Sequence, residues 1–265
     1  MKNYVLQDLT YLNWSKIRSS SGTAGSYLKS YSYSNGKKIY YKLSFFDDER
    51  GIFGYESINE IIAKKLLEKL DYSHLNYELI YAKVNISNKE YITYLTSSLD
   101  FKEINESKIT LENFYNFNKL ENESIIDFSK RMGFIKDIYQ MIVIDYLIAN
   151  RDRHGANIEV LYNKKTKCYR LAPLYDHGLS LLSPNYLKED IINYDIKKEV
   201  KANAFIGTSN LFDNLKLVPN EFFPRQKIDF AALIEEIGID DIYLTKSIEM
   251  LKWRWNKLEN LRDKK

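Results

Sequence analysis

NRDRHGAN, residues 150–157, is the densest polar stretch of the sequence and decides how the fold is interpreted. Apolar residues at helical spacing before it predict a helix from about Asp127 to Ala149, so Asp152 lies in the loop just beyond that helix. Asn157 follows five residues later. The next residues predict a hairpin, IEVLY and CYRLA joined by NKKTK, which leads to PLYD and its final Asp176. Because a hairpin brings its two ends together, we expect Asn157 and Asp176 to lie close to each other.

The order and spacing of these three polar residues fit one kind of chemistry. Phosphoryl transfer needs a carboxylate that orients the attacking hydroxyl and accepts its proton, and a carboxylate and an amide oxygen that hold Mg²⁺. Taken singly, Asp152 is better interpreted as a turn cap and Asp176 as a solvated loop residue. Taken together, Asp152, Asn157 and Asp176 favour a catalytic and metal-binding centre that uses ATP and Mg²⁺.

The N-terminal part carries phosphate-binding features in the order that kinases use. Residues 18–26 are rich in serine and glycine and can offer backbone N–H groups to phosphates. The following KKIYYKLSFF alternates apolar and polar residues, which predicts a strand with Lys42 on the face opposite the apolar set. A helix over roughly 56–70 carries Glu56 and Glu60, either of which can pair with Lys42, and we favour Glu60. Alone, the serine-rich turn and the lysine would be ordinary surface features; their order upstream of Asp152 favours a nucleotide site.

The elements together predict an α+β fold of two lobes. Further strands are predicted near 79–86 and 90–97, and C-terminal helices near 229–237 and 240–261. The composition becomes polar and charged after Leu99, which places the lobe boundary there. We therefore predict a small, β-rich N-lobe over 1–98 with the phosphate loop and the lysine strand. A mainly helical C-lobe over 99–265 carries the catalytic loop and the metal-binding aspartate.

These motifs resemble the HipA-like family of bacterial serine/threonine kinases. The matching residues are NRDRHGAN at 150–157, APLYD at 172–176 and the helix that begins Asn59-Glu60-Ile61. A weaker match extends from about Ser19 to the C-terminus, and the chain is similar to the short, stand-alone members of the family. The resemblance implies a protein-kinase-like fold with two lobes. The Arg-His pair within 150–157 also resembles phosphatidylinositol kinases, which share this architecture at a distance.

The resemblance implies a role for each matched residue. Asp152 is the catalytic base by this comparison, and Asn157 and Asp176 are the Mg²⁺ ligands. Lys42 holds the nucleotide phosphates and is paired with Glu60.

The serine- and glycine-rich segment from Ser19 to Gly25 corresponds by resemblance to the phosphate loop. Its nucleotide-binding residues are Ser20, Ser21, Gly22, Thr23, Ala24 and Gly25. Relatives carry an autophosphorylated serine in this loop. We therefore expect one of the first serines of the loop to become phosphorylated and to shut the enzyme down.

The resemblance also implies partners: a protein substrate, with an aminoacyl-tRNA synthetase as one candidate, and an antitoxin protein. The net charge is only +3, with acids and bases mixed along the chain, so we expect no direct binding of nucleic acid. No apolar run approaches the roughly 20 residues of a membrane span, and the N-terminus lacks the apolar region of a signal peptide. The single cysteine, Cys168, cannot form an internal disulfide. These features predict a cytoplasmic protein without a membrane partner.

Two other functions stay open at this point. The chain could be a kinase of lipids or small molecules, of the phosphatidylinositol-kinase-like type, but no membrane-binding face is recognisable. It could also be a nucleotide-binding pseudokinase module, although every catalytic position holds a competent residue type. His154 either orients Asp152, touches a phosphate or is a structural loop histidine. Arg151 and Arg153 either engage phosphates or form salt bridges with nearby acids.

Overall fold

A five-stranded sheet dominates the N-terminal part of the computed structural model, which describes residues 4–15, 27–239 and 241–265. The elements of this part are β1 (Gln7–Asp8), β2 (Lys29–Ser34), β3 (Lys37–Leu43), β4 (Phe46–Asp47), β5 (Gly51–Ile52), α1 (Glu56–Leu70), β6 (Tyr77–Ile86) and β7 (Lys89–Leu99). The strand order is β1-β6-β7-β3-β2. All neighbours are antiparallel except β1 and β6, which run parallel.

Strand β3 shows the predicted alternation. Tyr41 and Leu43 are buried in the core of this lobe, together with apolar residues of β6 and β7. Lys42, between them, therefore points away from that core, because successive side chains of a strand lie on opposite faces. Its register partners on the two neighbouring strands are Lys29 of β2 and Thr96 of β7.

The β6–β7 hairpin is longer than its sequence pattern predicts, because both strands extend toward the second lobe. Its turn consists of Ser87 and Asn88, with φ of 52° and 64°. Positive φ at both central residues is the geometry of a two-residue turn that matches the twist of the flanking strands. The predicted lobe boundary at 98–99 falls at the end of β7.

Helix α1 occupies the residues that its periodicity predicts, and it presents polar as well as apolar side chains to the interior. Ile62 and Leu66 are fully buried, as expected from the apolar spacing. Glu56, Asn59 and Glu60 are also buried, with exposed fractions of 1%, 0% and 0%. Buried polar side chains on a helix require partners on neighbouring elements, and these partners belong to the candidate site.

The second lobe is mainly helical and contains β8 (Glu106–Thr110), α2 (Leu111–Asn118), α3 (Ile125–Arg131), α4 (Ile135–Leu147), β9 (Asp152–Arg153), β10 (Glu159–Asn163), β11 (Tyr169–Leu171), α5 (Lys188–Ile192), β12 (Asn203–Ala204), α6 (Leu211–Asn214), α7 (Phe230–Glu235) and α8 (Ile242–Arg262). Helix α4 is the central element, since nine of its residues are buried. Among the residues described, no helix combines the length and the apolar character that crossing a membrane would require.

Two features of this lobe differ from the sequence prediction. The single helix expected over 127–149 is divided into α3 and α4, because Gly133 adopts φ of 77° and interrupts the helix. The polar stretch after Leu99 contains a strand, β8, and a helix, α2. Strand β8 pairs with β10, which in turn pairs with β11 in the predicted hairpin.

Candidate active site

Lys42 lies at the centre of the candidate site and pairs with two carboxylates from different parts of the chain. Its Nζ is 3.0 Å from Oε1 of Glu60 on α1 and 2.5 Å from Oδ1 of Asp176, which follows β11. Burial alone would lower the pKa of Lys42, but Asp176 and Glu60 outweigh it and raise the pKa well above its ordinary value. The ammonium is therefore charged at neutral pH and can attract an anionic group.

Glu60 joins the lysine to the segment that carries Asp176. Its second oxygen, Oε2, accepts a hydrogen bond from the backbone N–H of His177 at 2.9 Å. Burial would raise the pKa of Glu60, but Lys42 and the hydrogen bond from His177 hold it below its ordinary value. The carboxylate thus stays ionised between its two donors.

Glu56, the other glutamate considered for Lys42, has different partners. Its carboxylate accepts hydrogen bonds from the N–H of Phe45, at 3.1 Å, and from the hydroxyl of Tyr186. Burial raises the pKa of Glu56. The structure thus pairs Lys42 with Glu60 and uses Glu56 to connect α1 to the segment that contains Tyr186.

Asp176 has an unusual backbone conformation. Its φ is 60°, the left-handed region that costs roughly 1–2 kcal/mol for a residue with a Cβ atom. The hydroxyl of Tyr77, on β6, accepts a hydrogen bond from its N–H at 3.4 Å. Burial raises the pKa of Tyr77 well above its ordinary value, so the phenol remains protonated. Tyr77 is a site residue that the sequence did not reveal, because it precedes the strand predicted near 79–86.

Asp152 lies in β9, and Asn157 is the last residue of the 3₁₀ turn Gly155–Asn157. The amide Nδ2 of Asn157 donates to the backbone oxygen of Asp152 at 2.9 Å. Asn157 is buried, whereas about a third of the Asp152 side chain, 32%, is exposed. The Asp152 carboxylate is therefore accessible, and the amide of Asn157 is held in one orientation by its donor contact.

Two neighbours flank the Asp152 carboxylate. Nε2 of His154 lies 3.7 Å from Oδ2, and Nδ2 of Asn203 lies 3.5 Å from Oδ1. His154 accepts the N–H of Ala156 at Nδ1, so its ring proton is assigned to Nε2, which faces the carboxylate. Asn203 reaches the site because β12 pairs with β9. Sequence reasoning missed Asn203, which lies in a stretch without a readable pattern.

Arg153 connects the predicted catalytic loop to the segment of Asp176. The side chain is almost completely buried and forms an ion pair with Asp145 on α4, with Nε 3.0 Å from Oδ2. Its Nη1 donates to the backbone oxygens of Tyr175, at 2.8 Å, and of Asn157, at 3.3 Å. One guanidinium therefore donates to the backbone of Asn157, a predicted metal ligand, and to that of Tyr175, the residue before Asp176. Arg153 forms the salt bridge that was one of the two sequence-based alternatives.

Arg151 is also committed to the protein interior. It donates to the backbone oxygen of Leu181 at 2.8 Å and to the hydroxyl of Tyr194 at 3.0 Å. Burial lowers the pKa of Arg151. The contact with Leu181 fixes the segment after Asp176 to the C-lobe.

A cavity of about 190 Å³ opens beside Lys42 and Asp176, beneath the five-stranded sheet. Aromatic side chains form part of its wall: Tyr40, Tyr77, Phe101 and Tyr175. Phe101 and Tyr175 are stacked, with ring centroids 5.6 Å apart. Flat aromatic walls next to a charged group suit a ligand with a ring at one end and anionic groups at the other.

Residues on both sides of the predicted phosphate loop also line this cavity. Ser15 and Lys29 form an antiparallel bridge, with N–H to oxygen distances of 2.9 Å and 2.8 Å. The loop residues predicted to bind nucleotide lie outside the described residues: Ser20, Ser21, Gly22, Thr23, Ala24 and Gly25. The bridge places the two points from which residues 16–26 depart next to the cavity.

Comparison with known proteins identifies the fold. Neither a protein-family model nor a curated protein matches the sequence. Among solved structures, the Helicobacter pylori proinflammatory kinase CtkA matches over 97% of this chain and 96% of its own, with a TM-score of 0.67 and 16% sequence identity. The HipA toxin of Shewanella oneidensis MR-1, solved with HipB and operator DNA, matches over 91% of this chain and 67% of its own, with a TM-score of 0.45 and 13% identity. The likeness to CtkA confirms the predicted α+β, two-lobed, kinase-like fold.

Proposed function

We propose that this chain is a kinase that transfers the γ-phosphoryl group of ATP, with Mg²⁺, to a serine or threonine hydroxyl. The observation that carries the proposal is the ion pairing of Lys42 with both Glu60 and Asp176, beside a cavity that Lys42 and Asp176 line, with Arg153 joining the Asp176 segment to Asn157. The likeness of the fold to a kinase supports the same conclusion.

The donor set around Asp176 fits Mg²⁺. Mg²⁺ prefers oxygen ligands, keeps several waters and takes only one or two carboxylates from the protein. In the described ranges no cluster of three or more His, Cys, Asp or Glu side chains could hold a metal ion. One carboxylate oxygen and one amide oxygen are ligands that suit Mg²⁺ better than a transition metal, which prefers nitrogen or sulfur. Asp176 and Asn157 would hold it, and Mg²⁺ when bound neutralises charge on the phosphates.

The chain's own residues account for the remaining steps. Asp152 accepts the proton of the attacking hydroxyl as the oxygen–phosphorus bond forms and the bond from the γ-phosphorus to the bridging oxygen of ADP breaks. Lys42, held charged by Glu60, binds the phosphate oxygens. The aromatic wall of the cavity contacts the base, and the predicted phosphate loop, Ser19 to Gly25, supplies backbone N–H groups to the phosphates.

The substrate class follows from the resemblance of the sequence motifs to HipA-like kinases. We propose a protein substrate, with an aminoacyl-tRNA synthetase as a candidate, and regulation by an antitoxin protein. Overproduction of such an enzyme should stop growth, and Asp152→Asn should restore it. Normal growth during strong overproduction of active enzyme would contradict the toxin role but not the kinase activity.

Labelled ATP tests the proposal directly. The purified chain is incubated with γ-labelled ATP, Mg²⁺ and a bacterial lysate, and protein and lipid fractions are counted separately. We expect label in protein and a rate that falls by about 10²–10⁴ in Asp152→Asn, the usual cost of losing a general base. Asp71→Asn is a matched control, because Asp71 is exposed at the C-terminal cap of α1 and asparagine tolerates its positive φ.

Two results would contradict the proposal. Label confined to lipid would replace the protein substrate with a lipid. An absence of transfer, together with unimpaired binding of ATP, would indicate a pseudokinase.

A further inference from the structure

Asn59 binds the chain immediately after the predicted metal ligand. It is completely buried on α1, and its Nδ2 donates to the backbone oxygens of Gly178 and Ser180 at 2.8 Å and 3.1 Å. Gly178 lies only two residues beyond Asp176. A Cβ atom at Gly178 would lie 3.2 Å from Cβ of Glu56, so the segment packs closely against the helix.

Tyr243, on the first turn of α8, contacts the oxygen of the same Asn59 amide. Its hydroxyl donates to Oδ1 of Asn59 at 2.8 Å. Burial raises the pKa of Tyr243, so the hydroxyl keeps the proton that it donates. Because Oδ1 is taken by this donor, Nδ2 must face Gly178 and Ser180. The hydroxyl thus sets the orientation of the amide.

The ring of Tyr243 is itself fixed in place. It stacks on Tyr55, with centroids 3.8 Å apart and an interplanar angle of 6°. Asp241 accepts both the N–H of Tyr243, at 2.7 Å, and the hydroxyl of Tyr55, at 3.1 Å. The two tyrosines therefore pack against each other and share Asp241 as an acceptor. Tyr55 contacts Asn59 only through its backbone oxygen, which accepts the N–H of Asn59 at 2.8 Å, whereas the hydroxyl of Tyr243 donates to the Asn59 side chain.

We infer that Tyr243 is a positioning residue that acts through Asn59 on residues 176–180, and so on the orientation of Asp176. The step from orientation to phosphoryl transfer rests on the proposed function. Loss of the hydroxyl would leave Oδ1 of Asn59 buried without a donor, and the amide could then turn away from Gly178 and Ser180. A residue at the far end of the chain would in this way control the metal-binding segment.

Hydrogen–deuterium exchange tests the connection without requiring catalysis. The reporters are the backbone amides of His177, which donates to Glu60, and Leu181, which donates to Ile148. In Tyr243→Phe we expect exchange at these amides to accelerate by about fivefold or more, the effect of losing roughly one buried hydrogen bond. Tyr55→Phe is the matched control and should leave both amides unchanged. Equal exchange in the two variants would overturn the inference.

A second variant decides the question if Tyr243→Phe is too unstable to purify. Asn59→Leu keeps the approximate shape of the side chain but removes its contacts with Gly178, Ser180 and Tyr243. Exchange at His177 and Leu181 should accelerate in it as well, and unchanged exchange would overturn the inference. Where both variants are stable, Tyr243→Phe should add nothing to Asn59→Leu, since coupled residues are not additive.

Kinetics then separate positioning from simple stabilisation. In Tyr243→Phe the rate at saturating ATP should fall by about fivefold or more, with the dependence on Mg²⁺ shifted to higher concentration. The KM for ATP should change little, because the cavity wall is intact. A loss of thermal stability with unchanged kcat and Mg²⁺ dependence would mean that Tyr243 is only structural. Hydrogen–deuterium exchange still tests whether Tyr243 acts on residues 176–180 even if the parent transfers no phosphate. Failure of this inference can therefore be told apart from failure of the proposed kinase activity.

Discussion

Arg153 donates from Nη1 to the backbone oxygen of Tyr175 at 2.8 Å while its Nε is paired with Asp145 at 3.0 Å. The contact fixes the residue next to Asp176 to the core of the C-lobe. A lysine cannot reproduce it, because a single ammonium lacks the planar fork that serves several acceptors at once.

Arg153→Lys should therefore destabilise the protein and reduce activity together. Breaking a buried ion pair costs about 3–5 kcal/mol in the free energy of unfolding, and lysine should recover only part of that. Denaturant unfolding followed by circular dichroism measures the loss. Arg225→Lys, at an exposed position, is the control and should be neutral. A variant with parental stability would show that Arg153 is not the connection described.

The pKa of Glu60 predicts a pH dependence of stability. Its folded-state pKa lies below the ordinary value of 4.5, so its stabilisation is complete above that pH and is lost as the pH falls through the folded pKa. Lys42→Met removes the nearest positive charge. The pKa of Glu60 should then rise, and acid destabilisation should begin at higher pH.

Unfolding measured between about pH 3 and pH 7 tests this shift. Lys64→Met is the control on the same helix, because Lys64 forms only a surface pair with Glu68 at 3.5 Å. Surface pairs of this kind contribute about 0–1 kcal/mol. Identical pH profiles for the parent and Lys42→Met would contradict the assigned charge state.

Asp176→Ala should separate metal binding from nucleotide binding. Without Mg²⁺, ATP should bind the variant at least as well as the parent, because an anionic group has been removed from the phosphate site. With Mg²⁺, affinity should be lower by on the order of tenfold, about 1.4 kcal/mol. Calorimetric titration with and without Mg²⁺ measures both values, with Asp190→Ala at an exposed position as the control. Equal enhancement by Mg²⁺ in parent and variant would place the metal elsewhere.

Phosphorylation of Ser19, Ser20 or Ser21 should inhibit the proposed kinase activity. A phosphoserine carries roughly −1.5 to −2 charges and would compete with ATP for Lys42 and for backbone N–H groups. Intact mass should show an added phosphate that is absent in Asp152→Asn, and peptide mapping should locate it in residues 19–21. A phosphorylated form that binds ATP as tightly as the unmodified one would refute this regulation.

Local patterns in the sequence predicted most elements of the fold. Helix α1 and the hairpin around Ser87 and Asn88 follow from apolar spacing and turn residues, which act within a few positions. Strand β8 was not predicted, because ESKIT has little apolar character and becomes a strand only through pairing with β10. The break at Gly133 was missed because the apolar spacing continues through it.

The candidate site could be predicted only in part, for a related reason. Lys42, Asp152 and Asp176 stand in recognisable motifs. Asn203 and Tyr77 reach them from 51 and 99 residues away along the chain, respectively. Such contacts are created by the fold and leave no periodic signal in the sequence.

Helix α1 makes the site behave as a unit. Glu56 contacts the chain at Phe45, whereas Asn59 and Glu60 contact residues 177–180, and all three side chains belong to the same helix. A shift of α1 by one helical turn would break the contacts of all three side chains at once and leave buried charges without partners. Intermediate positions of the helix are therefore costly in free energy. The protein should therefore populate an assembled and a disassembled arrangement with few states between them, and any regulator that binds α1 should switch the site between two states instead of adjusting it gradually.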